Sequence, residues 1–393
     1  MPTNLPPEAM DKWEEVEAAR SPREKMEKMQ QFLKYVPQHK GTMKLRGEIK
    51  RKISIIREDL EDKKRKGTGR SSGGPKLFVE KEGAAQVAIL SMTSAGKSCL
   101  MQALTKANVT VSPTPYTTRE PTPGIMDFGD IQFQLVETPA VMEGSADGRA
   151  WGPVTLGVAR NADGVILMVD LSHDPVGQLK LVLAELEKSR VLVKKPNGRV
   201  EVDRRHAGAA LRVILVGKLI DCSMHEVEAL LRSYRINDAI VRISGEVSLD
   251  DVEDAIFETT TYKPAVIVAN KLDAPGAEAN LKALKKFVNG KIPIVPVSCE
   301  KRLGLEELGK KLIQNLGIIR IYTKEPGSKE NTGRPFALKQ GSTINDLAKN
   351  IHKEFVYNFL FAMVWAKRLP FSPKKVGLSF VLEDGDVVEI HTK

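Results

Sequence analysis

The feature that most constrains this chain is Ser91-Met-Thr-Ser-Ala-Gly-Lys-Ser98, set between two runs of different character. Ala85-Gln-Val-Ala-Ile-Leu90 before it is short, apolar and β-rich, and Cys99-Leu-Met-Gln-Ala-Leu104 after it consists of helix formers. A strand, a tight loop and a helix in that order aim backbone N–H groups and a helix N-terminus at one point, which favours a phosphate. Ser94, Ala95, Gly96, Lys97, Ser98 and Cys99 would form the cradle. Lys97 would reach the β- and γ-phosphates, and Ser98 would ligate Mg²⁺. The segment departs from G-x-x-x-x-G-K-[ST] at its first position, Ser91, so alone it is open to coincidence.

A second motif gives it meaning. Val266-Ile-Val-Ala-Asn-Lys-Leu-Asp273 is an apolar run ending in polar residues. Taken alone it is a strand entering a turn. A carboxylate at Asp273, however, can accept two hydrogen bonds from the N1–H and N2–H₂ edge of guanine. Adenine would oppose it with a lone pair, and an unpaired acceptor is penalised strongly. Asn270 and Lys271 belong to the same turn. Ile292-Pro-Ile-Val-Pro-Val297 then leads into Ser298-Cys-Glu300, placing small residues at the end of another buried strand, where a guanine site closes over its base. Three strand-end motifs in this order point to GTP and GDP rather than ATP.

At 393 residues the chain exceeds one hydrophobic core, so two to four domains are expected. A net charge of +10 and a pI near 9.3 suggest an anionic partner, RNA or ribosome rather than DNA. The alternative is a solvated basic surface with no partner. Cys99, Cys222 and Cys299 have no paired spacing, so neither disulfides nor a zinc cluster is expected, which fits a reducing cytoplasm. No run is long and apolar enough for a bilayer, and Met1-Pro-Thr-Asn-Leu-Pro-Pro7 lacks the regions of a signal peptide, so no membrane partner is expected.

Character changes along the chain divide it into five segments. Residues 1–83 read as a basic helical hairpin with a linker. Ser21-Pro-Arg-Glu24 is a capping box, Met26, Met29, Phe32 and Leu33 form one stripe, and Leu45, Ile49, Ile53, Ile56 and Leu60 form a second. Lys63-Lys-Arg-Lys66 is either an RNA-phosphate contact or a solvated face. Residues 84–190 and 263–317 alternate strand and helix as a doubly wound α/β sheet, with Ile131–Val136 and Gly164–Asp170 as strands. Residues 191–262 interrupt that pattern as an α+β insertion. Residues 318–393 read as a small β-grasp domain, with a helix expected from Thr343 to Phe355.

Several residues now carry a resemblance. Ala95-Gly-Lys-Ser98, Tyr116-Thr-Thr118, Thr138-Pro139 with Glu143-Gly144, and Asn270-Lys-Leu-Asp273 resemble the motifs of developmentally regulated GTP-binding proteins, the archaeal and eukaryotic branch of the Obg-related translation GTPases. Ile319-Arg-Ile-Tyr-Thr-Lys324, Val376-Gly-Leu378 and Val381-Leu-Glu-Asp-Gly-Asp-Val-Val388 are similar to that family's TGS domain. The resemblance runs from about residue 20 to the end. It implies a P-loop GTPase fold, an insertion like a ribosomal-protein domain, slow hydrolysis of GTP, and association with ribosomes and a small regulatory protein partner.

For phosphoryl transfer, positioning and charge neutralisation suffice. Thr118, with Thr117 as the alternative, would join Ser98 at Mg²⁺. The family's Asp-x-Pro-Gly stands here as Glu137-Thr-Pro-Ala140. Glu137 is one methylene longer and would crowd the water shell of Mg²⁺. Ala140 would be strained if the turn needs φ > 0. Val141 stands where many small GTPases orient water with Gln, so unaided turnover is expected on the order of 10⁻⁴ s⁻¹. A partner, or a monovalent cation such as K⁺, would supply the missing charge. The competing reading is a degenerate GTPase serving as a ribosome- or RNA-binding scaffold; an ATP-dependent kinase or motor is opposed by Asp273. The six histidines show no metal spacing, and Trp13, Trp151 and Trp365 read as packing residues.

Overall fold

A computed structural model describes residues 5–19, 22–37, 42–66, 79–106, 120–204, 210–234, 236–257, 260–326 and 333–392. Ser21, the Gly67–Pro75 linker, Tyr116, Thr117 and Thr118 lie outside the described residues. The chain forms two compact units, Met1–Phe78 with Arg190–Tyr262, and Val79–Ser189 with Lys263–Lys393.

The second unit holds a six-stranded sheet. Its order is Ile294–Pro296, Ala265–Asn270, Gly164–Asp170, Ala85–Leu90, Ile131–Glu137, Thr122–Phe128. All neighbours are parallel except the last pair, an antiparallel hairpin. Ala85–Leu90, Gly164–Asp170 and Ala265–Asn270 are buried at every position, the burial expected of parallel strands covered on both faces. Chain order reverses on either side of Ala85–Leu90. The loops at the carboxyl ends of the central strands therefore converge on one crevice, where open α/β sheets bind ligands.

A five-stranded sheet follows in the same unit, ordered Phe336–Lys339, Ile318–Thr323, Val387–Thr392, Phe359–Trp365, Lys374–Val376. Ile321, Leu347, Val364 and Val388 fill its core. The single helix expected from Thr343 to Phe355 is two helices, Ile344–Ile351 and Lys353–Tyr357. His352 between them is extended, with φ −168° and ψ 147°, and its Nδ1 accepts the Glu354 amide at 3.4 Å. Ile344, Leu347, Ile351 and Phe355 still pack on one core, so a helical period persists across a break that it cannot register. Tyr322 donates its hydroxyl hydrogen to Asp130 at the tip of the Thr122–Phe128/Ile131–Glu137 hairpin. Arg320 reaches Asp384 at 2.8 Å and Asp130 at 3.5 Å.

The first unit differs from the expected separate hairpin. Three helices, Pro7–Ala18, Pro22–Tyr35 and Met43–Lys66, share one core with the insertion. The insertion supplies a sheet ordered Gly198–Arg204, Ala239–Val247, Arg212–Leu219, with helices Met224–Ser233 and Leu249–Ile256. Trp13 lies 5.0 Å from the Phe32 ring and 5.4 Å from the Phe257 ring, and Lys52 donates to the Phe257 carbonyl at 2.8 Å. Short amphipathic helices gain most of their stability by burying a face, and here that burial uses residues some 200 positions away in sequence.

Back in the nucleotide sheet, residues 138–151 link Ile131–Glu137 to the helix Gly152–Asn161. Gly152 lets this loop lie against the helix start, because a Cβ there would sit 2.1 Å from the Ser145 carbonyl oxygen. Both partners are backbone and cannot swing aside. Gly152→Ala is expected to destabilise the protein by about 1–3 kcal/mol, the usual range for overpacking, and to lower the melting temperature in calorimetry.

Candidate nucleotide site

Ser91 to Gly96 leave the Ala85–Leu90 strand and enter the helix Lys97–Leu104. The turn is tight: Ser94 has φ 61° and Gly96 φ 97°. At Gly96 a Cβ would lie 2.4 Å from the Asn270 amide nitrogen, so only glycine admits this approach. Ser94 occupies a left-handed conformation that ordinarily favours glycine, a local strain concentrated at the loop.

Lys97 is 8% exposed, and its Nζ donates to Ser91 Oγ at 2.9 Å. The Ser91 hydroxyl in turn donates to the Met92 carbonyl at 2.6 Å. Burial pushes the Lys97 ammonium down to about 8, against the pull of Glu137. Ser98 Oγ donates to Glu137 Oε1 at 2.6 Å, and Glu137 is buried at the end of its strand. Sequence spacing put these side chains 39 residues apart; the parallel pairing of Ala85–Leu90 with Ile131–Glu137 brings their strand ends together. A hydroxyl and a carboxylate are hard oxygen donors of the kind Mg²⁺ takes, and Ser98 with Glu137 beside it fits that ion.

Ala140 is not among the described residues with positive φ, so the expected strain of alanine at that turn does not arise. The next amide, Val141, donates to the Ser91 carbonyl at 2.9 Å, which lays residues 138–141 against the phosphate loop. The Val141 side chain is buried and offers no polar atom to a water.

On the opposite wall, Asn270 joins two loops. Its Nδ2 donates to the Ala95 carbonyl at 3.0 Å, and its Oδ1 accepts the Cys299 amide at 3.1 Å. Lys271, with φ 61°, pairs through Nζ with Asp170 Oδ2 at 2.5 Å. Burial alone would raise the Asp170 carboxyl, but hydrogen bonds from Lys271 and Ser172 hold it below the usual carboxylate range. Asp273 is exposed, and a hydrogen bond from Ser298 keeps its carboxyl low and ionised, ready to accept. Cys99 and Cys299 touch each other; burial pushes the Cys299 thiol up to about 12, which makes it a packing group rather than a nucleophile. Asp170 was missed in the sequence, although an acid at the end of a wholly apolar strand is the signal that marks it.

Residues 86–196 match the 50S ribosome-binding GTPase family, 211–318 the C-terminal region of the MMR_HSR1 domain, and 319–392 the TGS domain. An uncharacterized GTP-binding protein of Methanocaldococcus jannaschii is 32% identical over 375 residues, covering 94% of this chain and 93% of its own length. The developmentally-regulated GTP-binding protein 2 homolog of Dictyostelium discoideum is 28% identical over 94% of this chain and 99% of its own length. This chain belongs to the developmentally-regulated GTP-binding protein family. Ribosome-interacting GTPase 1 of Saccharomyces cerevisiae is a further relative, 27% identical over 94% of this chain and 99% of its own length. As a member of the family the chain carries a GTPase domain and a TGS domain.

The lowered Lys97 value has a consequence with opposite signs for two observables. Phosphate binding favours the charged ammonium, so GDP affinity is expected to weaken by up to about tenfold per pH unit above about pH 8. Stability without nucleotide runs the other way: between about 8 and 10.5 the unfolded chain holds more of this proton, so stability rises with pH across that window. Calorimetric titration of GDP at rising pH, with Lys97→Met as the variant that loses the dependence, checks the sign.

Proposed function

We propose that this protein is a slow guanine-nucleotide switch that hydrolyses GTP and acts on the ribosome or its RNA. The observation that carries the reading is Asn270, whose carboxamide ties the phosphate loop at Ala95 to the Cys299 loop. With these loops joined, the groups assigned to phosphate and to base belong to one rigid site. Residues 84–190 and 263–317 would form the nucleotide domain, and Lys97, Ser98, Asn270, Lys271, Asp273, Ser298 and Cys299 would line it. Thr118 would complete the Mg²⁺ shell with Ser98 and Glu137.

In that role each group has a physical task. Lys97 moves from Ser91 Oγ to the phosphates, exchanging a neutral acceptor for a charged one. Amides of residues 94–99 and the helix start add fixed dipoles, which cost no reorganisation when charge develops. Ser98, with Glu137 beside it, would hold Mg²⁺, which would neutralise charge on the phosphates. Asp273 reads the guanine edge. Val141 cannot orient a water, so turnover waits for charge or order brought from outside, by a ribosome, a small regulatory protein or K⁺. The net charge of +10 favours RNA as the anionic surface, and a cytoplasmic location follows from that partner.

A second reading, a scaffold with little hydrolysis, is favoured by Ser91 and Glu137, which hold Lys97 and Ser98 in contacts that a nucleotide must displace. Calorimetry with GDP, GTP and ATP, followed by phosphate release with and without ribosomes, decides between them. Micromolar or tighter guanine binding, weak ATP binding, and release stimulated by ribosomes are expected. Lys97→Ala should weaken GDP binding by about 10–100-fold, as for loss of a charge-assisted hydrogen bond. Equal phosphate release by Lys97→Ala and the unaltered protein would remove the enzyme reading and leave the scaffold.

A further inference from the structure

The loop 138–151 is also held by a residue outside those assigned to the nucleotide. Glu185 lies in the last turn of the helix Pro175–Lys188 and is 2% exposed. Its Oε1 accepts the Gly144 amide at 3.1 Å, and its Oε2 accepts the Ala146 amide at 2.7 Å. Lys188 approaches Oε1 at 3.3 Å. A buried carboxylate is costly unless satisfied, and here its satisfaction comes from the backbone of this loop. Burial would raise the Glu185 carboxyl, but the Ala146 and Gly144 amides outweigh it and hold it ionised. The same loop is fixed at its other end by Val141 N to the Ser91 carbonyl at 2.9 Å and by Thr155 Oγ1 to the Pro139 carbonyl at 3.1 Å. Residues 139–141, the stretch laid against the phosphate loop, are thus strung between two anchors, one at the phosphate loop and one at Glu185.

We propose that Glu185 is a positioning residue for the γ-phosphate: by clamping Gly144 and Ala146 it fixes residues 139–141 against the phosphate loop, supplying from the scaffold the order that the apolar Val141 side chain cannot supply. The inference rests on the GTPase reading for its effect on turnover, but its effect on triphosphate affinity stands apart. A loop ordered in advance costs less to fix when a γ-phosphate arrives. Loss of the clamp therefore weakens triphosphate binding and turnover while sparing GDP, which lacks the group the loop faces.

The test compares Glu185→Gln with the unaltered full chain. Gln keeps the shape but presents an NH₂ to one of the two amides, so one acceptor is lost and one repulsion is gained. The expected result is a fall of about tenfold in kcat and in affinity for a non-hydrolysable GTP analogue with GDP affinity unchanged, alongside a lower melting temperature from the buried amide left without its acceptor. Glu185→Asp keeps the charge but is one methylene shorter, which draws the carboxylate back from both amides. It should shift the same two quantities in the same direction, and it serves if Glu185→Gln fails to fold. Unchanged analogue-to-GDP affinity ratios in a folded variant overturn the proposal. So does a parallel loss of GDP affinity, which would mark Glu185 as scaffold alone. An unaltered protein that binds both nucleotides and never releases phosphate, even with ribosomes, overturns the hydrolysis reading, and the affinity ratio then judges Glu185 by itself.

Discussion

The candidate site depends on one carboxamide. Asn270 has a donor and an acceptor on the same small planar group, and the fold uses both, Nδ2 toward the Ala95 carbonyl and Oδ1 toward the Cys299 amide. Neither aspartate nor leucine could replace it: the first would oppose the Ala95 carbonyl with another acceptor, and the second would leave two buried backbone groups unpaired. Its close approach to Gly96 explains why the loop must lack a side chain there. Burial of Asn270 removes competing water, so these two hydrogen bonds keep their geometry.

Charge within the phosphate half of the site is arranged around this fixed frame. Lys97 and Glu137 are both largely buried, and each shares a hydrogen bond with a serine hydroxyl. Serine hydroxyls are adaptable partners, able to turn from one acceptor to another. Ser91, the departure from the usual glycine, is therefore an acceptor for the lysine as well as a substitution. The longer Glu137 uses its extra methylene to reach Ser98. The loop that follows is tied by hydrogen bonds at Ser91, Thr155 and Glu185, and the alanine at 140 carries no left-handed strain because its φ is not positive.

Most of the nucleotide domain was legible because its signals are local. A short apolar run rich in β-branched residues, such as 164–169, reads as a strand buried on both faces, and the motif after each strand marks the carboxyl end, where open α/β sheets bind ligands. The hairpin strand Thr122–Phe128 was not foreseen, since Pro, Gly and Asp within it mask any alternation and its pairing comes from Ile131–Glu137. The helix break at His352 was also invisible, as both fragments obey one period. Glu185 carried no sequence signal: among the charged residues of a helix, only burial and two amides from a loop about 40 residues earlier distinguish it.

The sequence by itself determined the strand–loop–helix at Ser91–Ser98, the turn residues Asn270 to Asp273, the order of segments and the membership in a GTP-binding family, because each is written in neighbouring residues whose backbone preferences agree. Tertiary structure alone decided that Ser98 meets Glu137, that Asn270 ties Ala95 to Cys299, that Glu185 clamps its loop, and that the N-terminal helices share a core with the insertion. The physical reason is common to all four. Each joins groups far apart along the chain, and hydrogen bonds and apolar contacts of that kind have no local periodicity; they exist only once the parallel sheet and the packed core have set the distances.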